Sequence, residues 1–233
     1  METTITASSP ATPAQDVFIV PPCREQVDFI YVDEHCLLIN KPSGLLSVPG
    51  RHPANQDCAI SRVQLRYPDA LIVHRLDMDT SGLMVIARGA ESHRNLSQQF
   101  ENRSVEKEYQ AWVHGILKPG EGIIELPLRC DWPNRPKQMV DFEQGKPAIT
   151  RYQVSVRDSG QNKTRVKLFP VTGRSHQLRV HTAELGHPIL GCNFYAHEDA
   201  RTAARRLQLH ACYLKLRHPK TGEELIGRST PPF

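Results

Sequence analysis

LIVHRLDMDTSGLMVIAR, residues 71–88, sets two apolar runs, Leu71–Val73 and Leu83–Ala87, on either side of a charged stretch. Short apolar runs bounded by turn residues read as buried strands. The intervening HRLDMDTSG at 74–82 is then a loop held by two rigid neighbours, and such loops are where reactive groups concentrate. It offers His74, Arg75, Asp77, Asp79, Thr80 and Ser81 ahead of Gly82. A plainer reading stays open for Asp79, Thr80 and Ser81, because short polar side chains in turns bond to their own backbone.

Further β-like runs lie outward from this core. FIYV (29–32) and CLLIN (36–40) precede it, followed by KPSGLLSVPG (41–50) with the Pro and Gly of a loop. After it come EKEYQAWVHG (106–115), ITRYQVSV (149–156), TRVKLFPV (164–171) and LQLHACYLKLRHP (207–219), the last turning at HPKTGEE with Gly222. Between these runs helical spacing shows in SRVQLRYP (61–68), which Pro68 is expected to end, and AESHRNLSQQFENRS (90–104). Strands and helices do not alternate as a doubly wound sheet requires, and no GxGxxG or P-loop pattern occurs. The expected class is α+β: a mixed, largely antiparallel central sheet flanked by helices and loops around a basic cleft.

The chain has 233 residues, enough for one sizeable core. Residues 1–25, rich in Thr, Ala and Pro, read as a flexible tail or an edge segment, and 26–233 as a single domain. No apolar run approaches the roughly 20 residues of a membrane-spanning helix. The start METTITASSPATPAQD lacks a basic then apolar leader, so a cytoplasmic location is expected. Six scattered cysteines without a CxxC pair read as reduced thiols. The net charge is only +4, but Arg129 to Arg179 carries eleven Lys or Arg against four Asp or Glu, a local +7. A basic face that attracts a phosphate backbone is expected there.

In TGRSHQLRVHTAELG (172–186), Ser175 reads as a helix N-cap, with Gln177, Arg179 and His181 in the first turns. Helix N-termini favour anions, which suits Arg174 and His176 to a phosphate. His181 reads as a buried structural histidine.

HRLD followed two residues later by TSG resembles the signature of the RluA-type pseudouridine synthases. KPSGLLSVPG, EKEYQAWVHG, TGRSHQLRVH (172–181), LGHPILG (185–191) and LQLHA (207–211) are similar to further segments of that family in the same order, so the resemblance spans about residues 27–230. RCDWPNRPKQMV at 129–140 is similar to the ribosomal large subunit pseudouridine synthase A subgroup. The resemblance implies that Asp77 is the nucleophile, that Arg179 is its cationic partner, and that Tyr109 carries the flipped base. It implies that Arg75 enters the RNA stack, while His74 either touches phosphate or packs below the loop.

Chemistry gives these types a reason. Isomerising uridine breaks the bond from ribose to uracil nitrogen, turns the base, and rejoins it through carbon. A carboxylate can act as the covalent nucleophile, and a charge partner offsets the penalty of burying it; arginine's planar fork suits a bidentate hold. A stacked ring traps a base without using its hydrogen-bonding edge. Strand alternation puts Lys107, Tyr109 and Ala111 on one face, which makes Lys107 a candidate substrate ligand with His74, Arg75, Arg174, His176 and Gln177.

Two other classes remain to be weighed. Asp77 and Asp79 on one side of an extended segment would suit a glycosidase pair, and an RNA-binding protein without activity would keep the charge but lose the site. The spacing of His176 and His181 is poor for a metal. No metal, nucleotide or organic cofactor is implied. The expected substrate is stem-loop RNA, both a 23S rRNA hairpin loop and the anticodon loop of certain tRNAs. A monomer is expected, with no S4-type RNA-binding domain, no membrane and no obligate protein partner.

Overall fold

The computed structural model describes residues 18–233. Twelve strands form: β1 (Asp28–Val32), β2 (Cys36–Lys41), β3 (Ala70–Ile72), β4 (Ser81–Arg88), β5 (Glu106–His114), β6 (Glu121–Glu125), β7 (Leu128–Cys130), β8 (Gln138–Val140), β9 (Ile149–Asp158), β10 (Lys163–Pro170), β11 (Leu209–Arg217) and β12 (Glu224–Arg228). Four α-helices accompany them: α1 (Ala59–Gln64), α2 (Gly89–Glu101), α3 (Gln177–Glu184) and α4 (Glu198–Thr202). Ten strands make one sheet, along the path β1-β2-β4-β11-β5-β10-β9-β6 with β3 beside β4 and β12 beside β11; β7 and β8 form a separate hairpin. Every pair is antiparallel except β4 with β11. The α+β class with a mixed, largely antiparallel sheet is therefore what forms.

Burial explains the two textures of sequence. β2 and β4 carry continuous apolar runs, Cys36–Ile39 and Leu83–Ala87, because both faces are covered there. Leu37, Ile39, Met84 and Ile86 pack with Leu45 and the Ala59, Ile60 and Val63 of α1. Leu38, Leu83 and Val85 pack on the opposite face with Leu96 of α2 and with Leu214 and Leu216 of β11. In β5 and β10 only alternate residues are buried: Ala111, Val113, Val166 and Leu168 meet Leu178 of α3.

The two halves join over a very short contact. β4 and β11 pair only at Ser81 opposite His210 and Gly82 opposite Ala211. Beyond it β11 slips register between Ala211 and Tyr213 and runs on with β12, whose Gly227 faces Leu38 and Leu83. The hairpin thereby folds across β2 and β4. At the junction Gly82 has φ +116°, and a Cβ there would lie 2.3 Å from the Ala211 carbonyl oxygen, so only glycine allows this approach. On its other side Ala211 pairs with Tyr109, which sets the loop before Gly82 one strand away from that tyrosine.

Several expectations are corrected. α1 ends at Gln64, capped at Leu65, short of Pro68. The N-cap of α3 is His176, in the left-handed region at φ 52°, not Ser175, and no side chain bonds the cap. The +7 segment does not form one face. Thr164, Val166 and Leu168 point into the core, so Lys163, Arg165 and Lys167 point to the other side of the sheet. Of the segment expected as tail or edge, residues 1–17 lie outside the described residues. From Phe18 on it is an anchored edge: Asn55 binds the Phe18 carbonyl and the Val20 N–H, and Arg62 binds the carbonyls of Cys23 and Glu25.

The first and last turns of the sheet are tied by charge. Asp33 accepts from Tyr31 Oη at 2.7 Å, from His218 Nε2 at 2.6 Å, and from the N–H groups of His35 and Cys36. His218 Nδ1 accepts from the N–H groups of Lys220 and Thr221, so its proton is on Nε2. Asp33, Cys36 and His218 lie close enough for a metal, but this network uses the histidine nitrogens and the carboxylate. No helix among the described residues is long and apolar enough to cross a membrane.

Candidate active site around Asp77

The loop bearing Asp77 is clamped by residues 41–47 at Leu76, Met78 and Asp79. Ser47 binds both the N–H and the carbonyl of Leu76. The Met78 carbonyl accepts from Gly44 N at 2.9 Å and Lys41 Nζ at 3.0 Å, and Ser43 Oγ donates to the Asp79 carbonyl at 2.6 Å. Thr80 N–H closes the turn onto the Asp77 carbonyl. Lys41 is fully buried, and its two other protons go to the carbonyls of Pro42 and Leu45. Burial pushes its ammonium down to about 7, against the pull of Asp79, Cys23 and Asp77. The backbone on both sides of Asp77 is held, and its carboxylate is left for other work.

The carboxylate is 25% exposed and faces Arg179, which is 2% exposed, with Nη1 at 3.5 Å from Oδ2. The expected bidentate hold is not what forms: a single long contact does. Arg179 Nε donates to Cys192 Sγ, the guanidinium lies over Phe194 and Tyr195 at 5.1 and 5.4 Å, and Nη2 is buried without a partner among the described residues. A buried donor left unpaired costs about 1–3 kcal/mol, more on a charged group. On the other carboxylate oxygen, His176 Nε2 stands 4.0 Å from Oδ1. Tyr109 is near enough that, after burial, the Asp77 charge is what raises its hydroxyl pKa.

The remaining candidates divide. Arg75 is exposed, with no ion pair or hydrogen bond among the described residues. Arg174 binds the Pro147 carbonyl through Nε alone. Both keep side-chain donors unused among the described residues. His74 packs below the loop: it stacks on Phe100 at 4.5 Å, accepts from Val85 N–H, and is driven down to about 3 by burial and then Lys107. Lys107 sits over the same Phe100 ring rather than against Asp77. Gln177 is 3% exposed and spent internally, accepting from Thr172 Oγ1 and Arg174 N–H and donating to Ile149 O and Thr150 Oγ1. It moors α3 to β9. The side-chain amide of Gln177 is thus fully used within the protein, whereas His74 Nδ1 carries no hydrogen bond among the described residues. His181 is a buried structural residue as expected, bound to Thr150 and Leu126. Ser81 bonds His210 and Arg206, not its own backbone.

A model of the RNA pseudouridylate synthase family matches residues 35–184, more than half of the chain and the whole clamped loop. The chain belongs to the RNA pseudouridylate synthase family. The synthase is 56% identical over 204 residues to a dual-specificity RNA pseudouridine synthase RluA of Yersinia pestis, covering 88% of this chain and 98% of that one. It is 50% identical over 213 residues to the protein of the same description from Escherichia coli K12, covering 91% and 97%. Among solved structures it resembles human RNA pseudouridylate synthase domain containing 1, with TM-score 0.75 and 28% identity over 91% of this chain and 86% of the other. The glycosidase and inactive-binder readings are set aside by these matches.

Sequence reasoning missed Lys41, Ser43 and Ser47, which hold the loop, and Phe194, Tyr195 and Cys192, which line Arg179. KPSGLLSVPG was legible as a family segment without a task. Its signal was two small hydroxyl residues and a lysine in an otherwise apolar loop.

Proposed function

We propose that the synthase isomerises uridine to pseudouridine in two kinds of stem-loop RNA, a 23S rRNA hairpin loop and the anticodon loop of certain tRNAs; the description of its relatives as dual-specificity RNA pseudouridine synthases supports two targets. Asp77 is the reacting carboxylate, Arg179 its cationic partner, and Tyr109 the ring that stacks the displaced base. Arg75, Arg174 and His176 face the RNA. The observation that carries this reading is the clamped loop, which fixes the backbone of Asp77 on both sides and leaves its carboxylate against a buried arginine with one unused donor.

In the reaction the bond from ribose C1′ to uracil N1 breaks, the uracil turns within the site, and C1′ joins C5. The C5 proton leaves and N1 gains one, so atoms balance without a metal, nucleotide or redox cofactor. The synthase works as a cytoplasmic monomer in this reading. Mapping pseudouridines in rRNA and tRNA from a strain lacking the protein, complemented with wild type or Asp77→Asn, tests it. The expected result is one lost site in each RNA, restored by wild type alone. Restoration by Asp77→Asn refutes the assignment of Asp77; loss in only one RNA class refutes dual specificity.

A further inference from the structure

His176 is gripped from three sides. Phe194 stacks on its ring at 5.7 Å and 14°. Nδ1 is 2.6 Å from the Tyr195 hydroxyl, and Nε2 faces Asp77 Oδ1 at 4.0 Å. A third bond bears on which nitrogen holds the proton. The Tyr195 oxygen accepts the backbone N–H of Gln138 at 2.8 Å. The phenol's own proton then has one acceptor among the described residues, His176 Nδ1. An imidazole that accepts on Nδ1 and stays neutral carries its proton on Nε2.

We propose that Tyr195 is a positioning residue, seated by Gln138 of β8, that holds His176 as the neutral tautomer with its Nε2–H aimed at Asp77 Oδ1. The proposal rests on the reading of Asp77 as the reacting group. The carboxylate then has a donor for each oxygen, Arg179 on Oδ2 and His176 on Oδ1. Catalytic hydrogen bonds are often long in free enzymes and shorten when substrate excludes water. A neutral donor has a clear advantage here. A second full positive charge beside Arg179 would be repelled by it and would compete with Arg179 for the same carboxylate.

The groups facing the imidazole agree with this. Burial lowers the pKa of His176 first of all; Asp77 and Asp79 from the catalytic loop pull it up, and Arg179 from its own helix pushes it down, with a net fall. Tyr195 adds a directed proton to Nδ1 and so blocks protonation there. Its seat, Gln138, belongs to the RCDWPNRPKQMV segment that resembles one subgroup, which gives that hairpin a structural route to the centre: Gln138 N–H to Tyr195, Tyr195 to His176, His176 to Asp77.

The test is a long-range ¹H–¹⁵N correlation spectrum of the full-length protein with labelled histidine, the His176 signals being assigned from His176→Gln. The wild type is expected to show a pyridine-type Nδ1 and a pyrrole-type Nε2. Tyr195→Phe is expected to mix the tautomers, to let His176 protonate at higher pH, and to lower kcat roughly 10- to 100-fold, one hydrogen bond to a charged group. KM for a stem-loop RNA should change little, and a new acid limb should appear in its pH profile. His176→Gln, whose amide replaces the Nε2–H donor, should outperform His176→Ala and lose little more when Tyr195→Phe is added. A wild-type spectrum with the proton on Nδ1 overturns the proposal. So does a Tyr195→Phe variant with unchanged histidine signals and pH profile. The spectrum is read without turnover, so an active Asp77→Asn would remove the role of Asp77 and leave the tautomer assignment standing.

Discussion

Replacing Gly82 with alanine strains the point where the two halves of the sheet meet. The new Cβ would stand 2.3 Å from the Ala211 oxygen, 2.5 Å from its nitrogen and 2.8 Å from its carbonyl carbon, all backbone atoms that cannot swing aside. Relaxed contact needs about 3.5 Å, so β4 and β11 must part by roughly 1 Å. Overpacking of this kind costs about 1–3 kcal/mol, and a non-glycine residue at φ +116° adds about 1–3 kcal/mol. A total of roughly 2–6 kcal/mol lowers Tm by about 4–24 °C in a domain of this size. The functional effect is separate. Ala211 pairs with Tyr109 on its far edge, so parting β4 from β11 moves Asp77 away from Tyr109, and a displacement of about 1 Å costs on the order of 100-fold in kcat. Calorimetry gives the first number and pseudouridine formation well below the melting range gives the second. Gly120→Ala, whose Cβ meets nothing within 4 Å, is the control and should stay within about 0.5 kcal/mol. A Gly82→Ala protein that melts within 2 °C of wild type, with kcat within about twofold, would refute the tight junction.

Tyr109→Phe should keep most activity and Tyr109→Ala should lose about 1–3 kcal/mol of base stacking, measured as kcat/KM on a stem-loop RNA; equal activity of both with wild type would remove the stacking role. Arg75→Ala and Arg174→Ala should each reduce the slope of log affinity against log salt by about 0.7–0.9. Lys163→Ala and Arg165→Ala, on the far side of the sheet, should leave that slope unchanged, and a loss there would restore a single basic face. Burial pushes the Asp33 carboxyl up, but the N–H groups of Cys36 and His35 and the side chains of Tyr31 and His218 hold it at about 2, below its usual 3.8. A depressed carboxyl contributes stability that is present above 3.8 and is lost as pH falls through about 2. Asp33→Asn should therefore flatten the fall of Tm between these pH values, and an unchanged acid limb would refute the role of the Asp33 network.

By itself the sequence determined eight of the twelve strands, β6, β7, β8 and β12 going unread, and the reactive loop, because these are written in local period. The two-residue alternation of β5, β10 and β11 needs only neighbours to be read, as does a polar HRLDMDTSG between two apolar runs. The same alternation already separated Lys163, Arg165 and Lys167 from the core side of the sheet, a consequence that a count of charges along the segment conceals. Only the tertiary structure decided which polar groups are spent. His74 and Gln177 look available in the chain, yet Val85 and Phe100 occupy one and Thr172, Arg174, Ile149 and Thr150 satisfy the other. Conversely, Lys41, Ser43 and Ser47 are 29 to 37 positions from the carbonyls of the Asp77 loop that they hold, and Tyr195 is 57 from Gln138. Hydrogen bonds at such separation leave no periodic trace in a sequence, because each partner is chosen by where the sheet brings the backbone and not by its own neighbours.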